Sequence, residues 1–429
     1  MKNKQILNLI TGLFLSTCAL AQDPLWVRDN TWYFDNFTQA EVGWDVFRET
    51  FIGVAPAPSG DFDLLLFETI YKQKLFETGH CFGMDLLAMV MLKNGGHLGY
   101  CHPPYIYAAE SPSPAGDTIG PSDQTLRRAI QIMHGNQITH RFLLFLLDVI
   151  VQNQNRNGNF AYQQYIYYAA KNDPCLISIS KSLSPADGAH VVVPFFAQDL
   201  GGGAKRLYVY DPNRSYYEAG MDGHDYYHNF QNFIDISAGG TWSYTMVDGD
   251  VYTGNPGGGG NCLTIPISVA GKKDRLPQSL FAEGAYAINS IFIWGKNTKV
   301  RQLALPESGC QWLDDQGCDL EPDLQNRMTN VVPFIPQTGG RPDTTANQLY
   351  FIQGNETFEI TLEADTEAGY HVGFMGAQAY VEVTSPGSGT DRLRIEGIDT
   401  AAPKCTWATG GLDRERHVTV RVRGAVECP

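Results

Sequence analysis

The chain changes character at Asp173-Pro174, and this switch constrains its fold more than any other feature. Upstream, from residue 61 onward, apolar residues recur with helical spacing. Downstream they gather in short β-branched and aromatic runs bounded by turn residues. Helices followed by strands, rather than strict alternation of the two, predict an α+β domain. Residues 81–92 (CFGMDLLAMVML) are apolar almost all round apart from Asp85 and stop at Asn94-Gly95-Gly96, which predicts a helix buried on most faces. Further helices are expected over 123–134, 138–152 and 160–171, with the loop NQNRNGN between the last two. Strands are expected over 175–180, 190–196, 206–210 and 241–247, with Gly201-Gly202-Gly203 closing a hairpin.

The run PGGGG at 256–260 reads as a flexible joint, dividing a first domain over 22–260 from a β-rich region over 261–429. Strand patterns at 286–294, 349–352, 357–362, 371–374, 379–383, 392–395 and 418–422, with Gly, Pro, Asn and Asp between them, suggest a β-sandwich. No internal repeat is visible. At the N-terminus, Lys2 and Lys4, an apolar stretch from Ile6 to Leu15 and Ala19-Leu20-Ala21 form the pattern of a signal peptide over 1–21. The protein is therefore expected to be secreted or periplasmic. A competing lipid-attachment box, Leu15-Ser16-Thr17-Cys18, is a poorer fit because of Thr17. No later apolar run reaches the ~18–20 residues of a membrane helix, so no transmembrane segment is expected.

A formal charge of -15 disfavours nucleic acid and anionic lipid as partners and is compatible with a neutral or cationic substrate. Eight of the nine cysteines lie beyond the signal segment. Export permits some to bridge, and Cys310 with Cys318 and Cys405 with Cys428 are the pairs closest in sequence.

Gly79-His80-Cys81-Phe82-Gly83-Met84 falls at the start of the buried helix. Partial positive charge there stabilises a thiolate, and the backbone N–H groups suit an oxyanion. A nucleophilic Cys81 needs a base delivered from another element and oriented in turn. His190 opens the strand in DGAHVVV, and the hairpin returns as Leu207-Tyr208-Val209-Tyr210-Asp211-Pro212-Asn213, which brings residues 190 and 211 roughly opposite each other. Asp211 can then hold the imidazole, with Asn213 as the substitute orienter. The competing structural roles are an ordinary or bridged cysteine, a half-buried strand histidine and a turn-starting Asp-Pro.

A cysteine at a helix start, a histidine on a strand after a helical half and an Asp-Pro turn ending the next strand together resemble the papain-like cysteine peptidases, especially bacterial ones with Asp as third member. The resemblance covers roughly residues 60 to 250 and rests on CFGM at 81, GAHVVV at 188 and VYDPN at 209. It implies a helical lobe facing an antiparallel sheet with the site between them, and amide hydrolysis through an acyl-enzyme on Cys81. The family's oxyanion-hole Gln stands about six residues before the cysteine. Leu75 occupies that position here, and Gln73, the nearest glutamine, is the candidate oxyanion donor that the resemblance implies.

His224 and His228 with Asp222 and Asp225, and His97 with Cys101 and His102, have spacings that could hold a metal. Their aromatic or Gly/Pro surroundings favour surface segments and loops, so no metal and no cofactor is expected. The glycine runs lack the Lys-Ser/Thr of a phosphate loop. The expected function is a secreted thiol peptidase acting on a peptide or protein substrate, with cell-surface contact through the C-terminal region. The alternatives are a transglutaminase-like acyltransferase using the same triad and a non-catalytic surface binding protein on a peptidase-like scaffold.

Overall fold

The computed structural model describes residues 26–38, 41–58, 61–76, 79–107, 124–151, 154–182, 188–214, 232–277, 288–295, 298–305, 309–311, 331–339, 347–353, 357–365, 368–409 and 417–422. They form a mixed α+β architecture with antiparallel main sheets. The segment 1–21, the HDYYH run, Cys318 and Cys428 lie outside the described residues.

Four longer helices precede the strands: α1 Cys81–Asn94, α2 Gln124–His134, α3 His140–Val151 and α4 Gly158–Ala169. Helix α1 is buried from Cys81 through Met91, as its all-round apolar sequence requires, and Gly95 in the left-handed region at φ 73° closes it. Helix α4 starts earlier than expected because the Asn157 side chain accepts from the Asn159 and Phe160 amides. Helix α3 starts later, since Gly135–Ile138 winds as a 3-10 turn that the Thr139 amide closes onto Asn136.

Eight strands follow: β1 Cys175–Ser180, β2 Ala189–Gly201, β3 Ala204–Tyr210, β4 Phe233–Ile236, β5 Trp242–Thr245, β6 Val251–Asn255, β7 Gly258–Gly259 and β8 Cys262–Pro266. They make one sheet in the order β7-β6-β5-β4-β3-β2-β1-β8. The PGGGG run expected to be a flexible joint instead carries the tight turn of the β6-β7 hairpin, in which Gly259 takes φ +84°. Strand β8 then crosses to the far edge and pairs with β1, Cys262 opposite Ile179, so the sheet continues past residue 260. Side chains alternate across it. Leu176, Val191, Val193 and Tyr210 pack with α1, whereas Ile177, Ile179, Val192 and Val209 pack with Ala161 and Tyr165 of α4.

The two C-terminal sheets are built from β9 Ile288–Ile293, β10 Thr298–Leu305, β11 Gly309–Gln311, β12 Val331–Pro333, β13 Gln348–Gln353, β14 Phe358–Ala364, β15 Tyr370–Met375, β16 Ala379–Ser385, β17 Gly389–Glu396, β18 Lys404–Thr409 and β19 His417–Val422. One sheet runs β12-β13-β9-β15-β16-β19 and the other β11-β10-β14-β17-β18. Ile291, Val372 and Val381 of the first share a core with Val300, Ile360, Leu362 and Leu393 of the second. A further cluster packs Phe292, Phe334 and Phe351 against Phe47, Tyr71 and Leu143, which joins the C-terminal strands to the helical half.

Cys81, Cys101, Cys175, Cys262 and Cys405 make no disulfide among the described residues, and neither expected bridge has both sulfurs among them. No helix of the described residues is long and apolar enough to cross a membrane.

Candidate active site

His190 is the second residue of β2, and Asp211 directly follows β3. Strand pairing sets Val193 opposite Tyr210, with bulges at Pro194/Phe196 and Asp199/Gly201. Continuing that ladder would put Asp211 against Val192 rather than His190, so the two side chains meet diagonally. They meet closely: His190 Nε2 lies 2.6 Å from Asp211 Oδ1, with both residues wholly buried.

The carboxylate is held by other donors too. The Tyr244 hydroxyl donates to its Oδ2 at 2.5 Å, and the Asn213 amide donates to its Oδ1 at 2.8 Å. Burial acts to raise the Asp211 carboxyl. The charge and hydrogen bond of His190, with Tyr244 and Arg214, outweigh burial and hold it below the usual value. An ionised carboxylate at Nε2 favours the tautomer with its proton there, leaving Nδ1 as an acceptor. Nδ1 is buried without a hydrogen-bond partner among the described residues.

Cys81 opens α1 and is wholly buried. The thiol is pushed well above its ordinary value, first by burial and then by Asp85. Hydrogen bonds from the Val191 and Phe82 backbone act against that rise, and Asp211 adds to it. The lowering expected from the helix terminus is thus outweighed, because a site closed to water penalises the anion more than two amides relieve it. Val191 follows His190, so the sulfur lies against the peptide that leads out of the candidate base. No hydrogen bond joins the sulfur to the His190 ring among the described residues. Catalytic hydrogen bonds are often long in a free enzyme and tighten only with substrate bound.

Asp85 lies one turn further along α1, wholly buried, with neither carboxyl oxygen hydrogen-bonded among the described residues. Burial first, then Asp211, pushes its carboxyl well above the ordinary carboxylate value, which favours the neutral acid. His80, directly before Cys81, stacks on Phe37 and shares a 2.9 Å hydrogen bond between its Nδ1 and the Phe37 carbonyl. Burial lowers its pKa to about 4, so it is neutral.

Gln73, the expected oxyanion donor, sits half-buried in the π-helix Phe67–Leu75. It makes no hydrogen bond to Cys81, His190 or Asp211 among the described residues. The side-chain amide that does reach the site is that of Asn36. Its Oδ1 accepts from the His80 amide at 2.6 Å, and its Nδ2 donates to Asn213 Oδ1 at 2.9 Å and to the Thr338 carbonyl at 3.0 Å. The Asn36 main-chain N–H donates to Pro212 O at 2.7 Å. Asn36 therefore ties the residue before Cys81 to the turn after Asp211. Asn213 spends its side chain on Asn36 and on the Gly339 carbonyl at 2.8 Å, which leaves Asp211 as the residue holding His190.

His102 Nε2 lies 2.8 Å from Asn30 Oδ1, and no group of three His, Cys, Asp or Glu among the described residues could hold a metal ion. His224 and His228 lie outside the described residues. No protein-family model, curated protein or solved structure matches the chain.

Proposed function

We propose that the chain is an exported thiol peptidase of papain-like type, hydrolysing amide bonds through an acyl-enzyme on Cys81. The observation that carries this reading is the buried His190–Asp211 pair, whose unpartnered Nδ1 belongs to the residue just before the amide that bonds the Cys81 sulfur. In the first half-reaction His190 Nδ1 takes the thiol proton and the sulfur attacks the substrate carbonyl carbon. The C–N bond then breaks, and the imidazolium returns the proton to the departing amine. In the second, His190 takes a proton from water, the hydroxide displaces sulfur from the thioester, and the acid and the free thiol are released. Asp211 fixes the tautomer and stabilises the imidazolium, while the Phe82 amide at the start of α1 supplies a donor near the developing oxyanion.

The shared core of the two C-terminal sheets supports reading them as an appended β-sandwich, suited to holding a protein substrate or a cell surface. The test is a peptidyl epoxide followed by peptide mass spectrometry, with a peptide amide assayed in parallel with and without an added primary amine. The expected result is an adduct on Cys81 that disappears in His190→Ala, with hydrolysis exceeding transfer. Transfer in excess would make the protein an acyltransferase. An adduct indifferent to His190 would remove the enzyme reading.

A further inference from the structure

The segment Phe334–Gly339, far from the triad in sequence, is buried along its whole length beside it. It runs parallel to the chain at Ala189, the residue before His190. The Ala189 amide donates to Pro336 O at 3.0 Å, and the Ala189 carbonyl accepts from the Thr338 amide at 2.9 Å and the Gly339 amide at 3.1 Å. The two carbonyls that follow are taken by side-chain amides, Thr338 O by Asn36 and Gly339 O by Asn213. A Cβ on Gly79, two residues before Cys81, would come within 2.0 Å of Thr338 O, so only glycine admits the segment there. The contacts thus fall on the sequence neighbours of all three triad residues: Gly79, Ala189 and Asn213.

Main-chain hydrogen bonding to an extended segment, with side-chain pockets at intervals, is how folded proteins hold peptides generally. Here Phe334 enters an apolar cluster, and Gln337 Oε1 accepts from Ser178 Oγ at 2.7 Å. At the other end, a Cβ on Gly339 would meet Asn36 Nδ2 at 2.3 Å, and its φ of +114° suits glycine alone. We propose that the trough formed by Ala189, Asn36 and Asn213 is the peptide-backbone subsite of the Cys81 centre, and that Phe334–Gly339 is its built-in occupant, an autoinhibitory strap. The inference rests on the thiol-centre reading and adds its substrate class: an extended polypeptide with glycine at the position of Gly339. It also gives the complete burial of Cys81, His190 and Asp211 a physical role, since the occupied trough slows the access of water and of substrate alike.

The full chain is treated with iodoacetamide at pH 7, and modification of Cys81 is followed by peptide mass spectrometry. Wild type is compared with Thr338→Pro, which removes the amide bonded to Ala189, and with Gln337→Ala, which removes the Ser178 contact. Hydrogen exchange at Ala189 and melting curves report whether each variant is folded with its strap released. Cys81 is expected to react roughly tenfold faster or more in both variants, since loss of one or two hydrogen bonds is worth about that factor. A synthetic peptide of residues 334–339 is expected to slow the reaction again in the variants and not in wild type. Unchanged reactivity in a folded variant whose Ala189 amide exchanges freely would overturn the strap, as would a peptide without effect. The two readings fail separately. A released Cys81 with the pH dependence of an ordinary thiol keeps the strap and removes the catalytic centre, whereas a wild-type Cys81 that already reacts fast below that range does the reverse.

Discussion

The Asp211 carboxylate grips the His190 imidazole through Nε2 at 2.6 Å and leaves Nδ1 as the only ring nitrogen able to receive a proton. Here the ring is held rigidly on one side and left open on the other, as a base must be.

Replacing Asp211 by Asn keeps the shape and removes the charge. Amide hydrolysis is expected to fall by about 10²–10⁴, the range general-base function contributes, with little change in KM. Tyr244→Phe leaves Asp211 Oδ2 without its 2.5 Å donor and is expected to lower stability by ~1–3 kcal/mol, read from urea unfolding, while the Asp211–His190 contact persists.

Gly79→Ala drives a Cβ into the Thr338 carbonyl. Backbone cannot yield as a flexible side-chain end does, so the strap is expected to leave. The variant should show faster hydrogen exchange at Ala189 and Thr338 with α1 intact. Unaltered exchange there would mean that the approach at Gly79 does not hold the segment.

His80 predicts an acid weakness of the fold. Its folded pKa of about 4 lies below the ordinary 6.5, so between those values the unfolded chain binds the extra proton. Stability is therefore complete above pH 6.5 and is lost as pH falls toward 4, by about 3 kcal/mol at most from this group. His134, pushed well below the ordinary histidine value by burial, acts with the same sign. Urea midpoints measured across that window should fall with acid, and His80→Asn, whose amide can still bond Phe37 O, should flatten part of the fall.

What was legible in the sequence was local. The apolar run after Cys81 requires a buried helix, and CLISIS forms the strand Cys175–Ser180 where its β-branched residues indicate. The hairpin that brings His190 and Asp211 together could be read from its glycine turn, though not its two bulges, which depend on packing along the sheet. The glycine run 256–260 was misread because glycine permits a tight turn as readily as a flexible joint. The parts of the site that escaped are those made at long range. Asn36 contacts a carbonyl 302 positions away, and an asparagine in the run Phe34-Asp35-Asn36-Phe37 carries no periodicity that marks it. The strap is a short extended run whose partner is one residue of a distant strand. The closed state of the thiol also escaped, since a helix start states where positive potential lies but not whether water reaches it.

The central claim is that His190 serves Cys81. Its most direct test is the pH profile of Cys81 alkylation in Gln337→Ala, recorded with His190 present and with His190→Ala. The account predicts reactivity that rises well below the ~8.5 of a free cysteine when His190 is present and moves up to that value when it is absent. Two superimposed profiles, both rising near ~8.5, would contradict it.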